Sequence, residues 1–188
     1  MYKNIYILLI FVSISFSENI IKNETLIYET KIKSLGFLKA TVGSSKFILK
    51  SSESEYELII KTESNKFFDR IYKVREYINM RLDSNLSLIN LKRTNKGKDK
   101  VEINASVNMK DKIVSFGKKN LKYNSNRIFY PYSLIYALRN RSLRIGEKYL
   151  FSIFDDKDII DVNLHISSTE TITVPYGKFN CFVAEPHS

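Results

Sequence analysis

Residues 160–167, Ile-Asp-Val-Asn-Leu-His-Ile-Ser, alternate strictly between apolar and polar side chains. Successive side chains of a β-strand point to opposite faces of the sheet, so this period of two predicts a strand with one buried face and one wet face. A sheet with a solvated face is typical of antiparallel architectures. The alternation therefore predicts a mainly β fold.

The same period, more loosely kept, recurs along most of the chain. Glycines and the segment Pro175-Tyr176-Gly177 separate the apolar runs at predicted turns. Further strands are predicted at 24–33, 36–50, 56–61, 68–82, 86–94, 100–108, 147–154 and 179–183.

Residues 130–140 break the alternation. Leu134, Ile135 and Leu138 recur at helical spacing, and Pro131 suits the first turn of a helix, where its missing N–H costs nothing. We therefore predict one short helix that packs on a mostly antiparallel sheet.

Residues 1–17, MYKNIYILLIFVSISFS, have the order of a secretory signal peptide. Lys3 precedes an apolar stretch, which is shorter than the roughly 20 apolar residues that cross a bilayer. No cysteine lies near the predicted cleavage site after Ser17, so a bacterial lipoprotein is not expected. We predict export to the periplasm and one soluble domain over residues 18–188, and retention of residues 1–17 as an anchor stays open.

The net charge of +10 is spread over the chain. The densest basic group, Lys92 to Lys100, has no interleaved aromatic residues, so nucleic acid is not an expected partner. An anionic membrane surface or an acidic envelope protein remains compatible with the charge. The contact residues we select for such a partner are Arg139, Arg141 and Arg144.

No catalytic or cofactor motif stands out. Cys181 shares a predicted strand face with apolar residues, so we interpret it as buried, and His165 and His187 form no pair at metal-ligand spacing. The acidic segment 155–158 is interpreted as a hairpin turn and not as a calcium loop. Glycine-rich phosphate loops are absent from the sequence. We therefore predict no metal, no cofactor and no enzymatic activity.

Aromatic residues are concentrated near positions 67–77 and 129–136. An open sheet with a large apolar interior can bind a lipid or another apolar ligand, whereas the alternative is that the rings only fill the core. The residues we select for ligand binding are Phe67, Phe68, Tyr72, Tyr132, Leu134 and Tyr136.

Five segments follow one another in a recognisable order: ETLIYE (24–29), TESNKFFDRIYKVREYINMRLD (62–83), YSLIYALRNRSLRIGEKY (132–149), FDDKDIIDV (154–162) and TETITVPYGKFNCFVAEP (169–186). In this order the chain resembles the DUF3108 family of exported bacterial proteins, over about residues 24–186. The resemblance implies a curved antiparallel sheet, a half-barrel or open barrel around a helix, similar to periplasmic lipoprotein carriers. Tyr130 departs from the family pattern, since an Asp that could cap the helix commonly precedes its proline. Similar proteins also continue past residue 186, which implies that residues 18–188 are a domain truncated at its C-terminus.

These observations favour a non-enzymatic envelope protein that binds a lipid or another apolar ligand in the concave face of its sheet. Two alternatives stay open. One is a structural or protein-interaction module of the cell envelope with a filled core, and the other is a hydrolase of unknown type.

Overall fold

The computed structural model describes residues 8–10, 23–33 and 39–187. The predicted signal peptide, residues 1–17, lies outside the described residues except for Leu8–Ile10. Within the described residues the chain is mainly β, with a single α-helix and an open eight-stranded antiparallel sheet, which confirms the predicted fold class.

The described elements comprise thirteen strands, one α-helix and one short 3-10 helix at Phe68–Arg70. The elements are β1 (Leu8–Ile10), β2 (Glu24–Lys33), β3 (Lys39–Ser51), β4 (Glu55–Ser64), β5 (Arg75–Asp83), β6 (Leu88–Asn95), β7 (Val101–Asn108), β8 (Ile113–Phe116), β9 (Lys119–Lys122), β10 (Ile128–Phe129), α1 (Pro131–Arg139), β11 (Lys148–Phe154), β12 (Ile159–Val174) and β13 (Gly177–His187).

These elements form two units. One unit is the eight-stranded sheet, in which β2 to β9 follow one another in chain order. The other unit contains α1 and a five-stranded sheet in the order β1-β13-β12-β11-β10.

The eight-stranded sheet buries one face along its central strands. Leu49, Leu58, Met80, Leu91 and Ala105 lie opposite one another on five consecutive strands, and all five are buried. Cross-strand apolar neighbours of this kind are the packing unit of a sheet. This row of buried residues follows from the alternation of apolar and polar side chains along the strands. The strand order is open, with β2 at one end and β9 at the other.

The prediction of a continuous strand over 68–82 was wrong in its first part. The strand starts only at Arg75, because side chains of the preceding segment bond to nearby backbone groups. The amide of Phe68 donates to Asn65 Oδ1 at 2.8 Å, and the amide of Val74 donates to Ser64 Oγ at 2.8 Å. Such local bonds compete with strand pairing.

In the other unit, β12 and β13 form a long antiparallel hairpin that turns at Pro175-Tyr176, as predicted. β11 pairs antiparallel with β12 through a turn at residues 155–158. In that turn the amide of Asp155 donates to the carbonyl of Asp158 at 3.1 Å. This confirms the interpretation of the acidic segment as a turn.

The helix α1 begins one residue after Tyr130, close to its predicted start. Ser133 Oγ accepts a hydrogen bond from the amide of Tyr130 at 3.0 Å and lies 3.1 Å from the Tyr130 carbonyl, to which it donates. The Tyr130 hydroxyl donates to Asp156 Oδ1 at 3.0 Å. Ser133 thus satisfies the backbone N–H of Tyr130, which is the role of the N3 side chain in a capping box.

Candidate functional site

A cleft of about 330 Å³ opens beside β11. β10 pairs parallel with β11 at Ser152 and Ile153, and among the described residues no strand pairs with β11 on that side before Ser152. The loop ahead of β10 and the segment that follows α1 border this edge. The cleft is lined by Ser125, Asn126, Arg127, Phe129, Arg141, Tyr149, Leu150 and Phe151.

Arg141 is held over the aromatic side of the cleft. Its amide donates to the carbonyl of Leu138 at 3.1 Å, which fixes the chain just after the helix. Its guanidinium carbon lies 5.4 Å from the ring centre of Phe151 and 6.0 Å from that of Tyr149. These distances are within the range of cation–π attraction. A guanidinium stacked on a ring keeps its N–H edge available for a carboxylate or phosphate.

The rings under Arg141 pack against one another. Phe129 and Phe151 meet edge to face, with ring centres 5.5 Å apart and an interplanar angle of 85°. Tyr149 and Phe151 are stacked at 6.2 Å with an angle of 29°. The aromatic floor is therefore a connected cluster, whereas Leu150 in the same lining is 62% exposed and offers apolar surface to a ligand.

Tyr149 remains protonated well above neutral pH. Desolvation raises the pKa of its hydroxyl above the ordinary value of 10.0, and a hydrogen bond donated to the Glu147 carboxylate raises it further. The charges of Arg141 and Arg144 act in the opposite direction. The hydroxyl is thus a neutral donor that Glu147 already engages, which makes it a poor acid or base.

The six residues selected for ligand binding fall into two groups, three in each unit. Phe67 is 73% exposed, Phe68 is half-buried, and the Tyr72 hydroxyl donates to Asp99. These three lie between β4 and β5, in and beside the 3-10 helix Phe68–Arg70.

The other three selected residues lie on α1. Leu134 and Tyr136 are buried, and Tyr132 is half-buried. Packing in the core is therefore the visible role of Leu134 and Tyr136, and none of the three belongs to the cleft lining.

Of the three arginines selected for an anionic partner, Arg141 alone lines the cleft. Arg139 lies over the ring of Tyr136, 5.1 Å from its centre, and Arg144 is exposed. Sequence reasoning missed Arg127, Tyr149 and Phe151. The aromatic pair at positions 149 and 151, on one face of a predicted strand, was the available signal, but the partial β10–β11 pairing that exposes it has no sequence signature.

A second polar group lies on the β12–β13 hairpin. The ligand atoms of His165, Glu185 and His187 all lie within 4.8 Å of one another. Sequence reasoning missed this group because His165 is distant along the chain from the other two residues. Glu185 and His187 lie two apart on β13 and so on one face, but the predicted strand stopped at residue 183 and did not include them.

Among the described residues, no helix is long and apolar enough to cross a membrane. The fold and the cleft define a class: a mainly β protein with an open eight-stranded antiparallel sheet, a second sheet of mixed strands, one short helix and an arginine-bordered aromatic cleft.

A family model described as "Protein of unknown function (DUF3108)" matches residues 28–188. The chain belongs to this family, as its segment order predicted. Searches of curated proteins and of solved structures find no match.

Proposed function

We propose that this protein is a non-enzymatic binding protein of the bacterial envelope, and that its cleft takes an amphiphilic ligand with an apolar body and an anionic end, such as a fatty acid or an anionic lipid. The observation that carries the proposal is the position of Arg141 over Tyr149 and Phe151 in a cleft that Arg127 also borders. Clefts of about 300–1,000 Å³ with an apolar lining and few polar groups are typical ligand sites.

The charges of the cleft favour an anion over a neutral lipid. None of the five ion pairs found in the described part of the chain uses Arg127 or Arg141. Their guanidinium groups are thus available to a ligand. The lining contains no His, Cys or carboxylate, and its Ser125 hydroxyl donates to the carbonyl of Arg127, with no general base in the lining to activate it. This supports binding over catalysis.

The test compares cis-parinaric acid with its methyl ester on the full chain purified from cells. A hydrogen bond to a charged group contributes about 1.5–3 kcal/mol, so the ester is expected to bind about 10–100-fold more weakly than the acid. Arg141→Ala and Arg127→Ala should weaken binding of the acid and leave binding of the ester unchanged. Arg144→Ala is the matched control, since Arg144 is exposed and outside the lining.

Equal binding of acid and ester, or no fluorescence change with either, would contradict the proposal. Organic extraction of the purified protein followed by mass spectrometry provides an independent measurement. An anionic amphiphile should appear in the extract of the wild type and decrease in that of Arg141→Ala.

A second candidate function is strand addition by an envelope protein, which would make the chain an interaction module. It rests on β2, which stands at one end of the eight-stranded order and exposes Ile27 (69%), Tyr28 (42%) and Ile32 (44%). Such edges are templates for another strand. A photo-crosslinking residue at Ile27 should capture a discrete envelope protein, whereas the same residue at the exposed Glu53 should not. Equal labelling at both positions would remove this candidate.

A further inference from the structure

His165, Glu185 and His187 share one face of the five-stranded sheet because of the β12–β13 register. His165 lies directly opposite Glu185, and His187 is two residues further along β13. Residues two apart on a strand project to the same side, so two imidazoles and one carboxylate converge there. Their ligand atoms all lie within 4.8 Å of one another.

Two imidazoles and a carboxylate form a donor set that suits zinc and neighbouring first-row divalent cations. With bonds of about 2.1 Å, tetrahedral ligand atoms are about 3.4 Å apart. The observed group needs to contract by little more than one ångström, which side-chain rotation can supply. Three protein ligands leave the fourth position to water or to a bound group.

The backbone between the two ligands on β13 is constrained. Pro186 has a fixed φ, and a residue that precedes proline is restricted to extended conformations. The backbone from Glu185 to His187 is therefore kept extended.

The strand pairings place two described residues beside the histidines of the group. Lys148 on β11 lies opposite His165, and its positive charge repels a cation. Asn163 on β12 lies opposite His187 and is neutral. Glu185 takes part in none of the ion pairs found in the described ranges. The carboxylate is therefore available to a metal, and both it and His187 are exposed.

We propose that His165, Glu185 and His187 form a binding site for zinc or a similar first-row divalent cation, with one open coordination position. The site is separate from the ligand proposed for the cleft, because none of its three residues belongs to the cleft lining.

The test uses zinc chloride and the full chain, purified without a histidine tag, in isothermal titration calorimetry at neutral pH. The wild type should bind one zinc ion per chain. His165→Ala, His187→Ala and Glu185→Gln should each raise the Kd at least about tenfold, since even groups that only support metal ligands contribute about 10–100-fold. Glu170→Gln is the matched control: Glu170 is exposed on β12, opposite Cys181, and its replacement should leave the Kd unchanged.

Histidine resonances provide a second measurement that does not depend on variants. The chain has only two histidines, and its single cysteine is fully buried, so the thiol does not compete for the metal. Both imidazole signals should shift together and saturate at one equivalent of zinc. The proposal is overturned if the wild type shows no saturable binding, if only one imidazole responds, or if folded histidine variants keep the wild-type Kd.

Discussion

Replacement of Arg141 by alanine tests whether its guanidinium is bound to the aromatic floor of the cleft. The guanidinium carbon lies 5.4 Å from the ring centre of Phe151 and 6.0 Å from that of Tyr149. Each cation–π contact at a partly exposed site contributes about 0.5–1 kcal/mol. Because there are two rings, we expect Arg141→Ala to lower the free energy of unfolding by about 1–2 kcal/mol.

A double-mutant cycle with Phe151→Leu isolates the contact from other effects. Loss of the buried Phe151 ring also disturbs its edge-to-face packing with Phe129, but that cost cancels in the cycle. Urea unfolding of the four proteins should give a coupling energy of about 0.5–1 kcal/mol between Arg141 and Phe151. The same cycle with the exposed Arg144→Ala should give no coupling. A coupling energy of zero for Arg141 would refute the stacked geometry on which the ligand proposal rests.

Two further predictions concern the eight-stranded sheet. The hydrogen bond from Arg75, and then that from Ser64, holds the pKa of Asp69 below its usual 3.8, so this stabilisation is complete above pH 3.8 and is lost as the pH falls through the lowered pKa. The stability difference between wild type and Asp69→Asn, measured by urea unfolding, should therefore disappear at low pH, and a difference independent of pH would count against the assignment. A Cβ at Gly97 would lie 2.2 Å from the carbonyl oxygen of Lys73, so Gly97→Ala should lower the free energy of unfolding by about 1–3 kcal/mol, as overpacking does. The exposed neighbour Lys96→Ala should cost less than about 0.5 kcal/mol, and equal effects of the two changes would disprove the close approach.

Those parts of the fold that follow from local periodicity could be predicted from the sequence. The alternation of Leu164 and Ile166 with Asn163 and His165 predicted a strand with one buried face, and Leu134 with Leu138 predicted a helix. The segment 68–74, FDRIYKV, is rich in aromatic and β-branched residues, which favour strands, so its composition did not mark it as irregular. Its conformation depends instead on side-chain bonds such as that between the Val74 amide and Ser64 Oγ.

The candidate sites were harder to predict because each depends on register. Arg141 and Phe151 are ten residues apart, and their contact exists because the chain after α1 passes over β11. His165 meets Glu185 only through the hairpin register, which includes a shift between Ile166 and Ser168. Composition and spacing can suggest which residue types take part in a site. They do not say which strands are neighbours or where a bulge changes the pairing.

The cleft and the histidine group lie close enough on one sheet for their charges to interact, yet the two sites remain separable. Leu150 of the cleft lies opposite Asn163, which lies opposite His187, so two strand spacings, about 10 Å, separate the cleft from His187. With an effective dielectric constant of about 20 near a protein surface, a divalent cation at that distance attracts a monoanion by about 3 kcal/mol. Screening at physiological salt, with a Debye length of about 8 Å, reduces this to about 1 kcal/mol. A direct hydrogen bond from an arginine to an anion contributes about 1.5–3 kcal/mol. The arginines that border the cleft, and not a metal at His187, would therefore dominate the affinity for an anionic ligand. Substitutions can thus remove one site while binding at the other is measured.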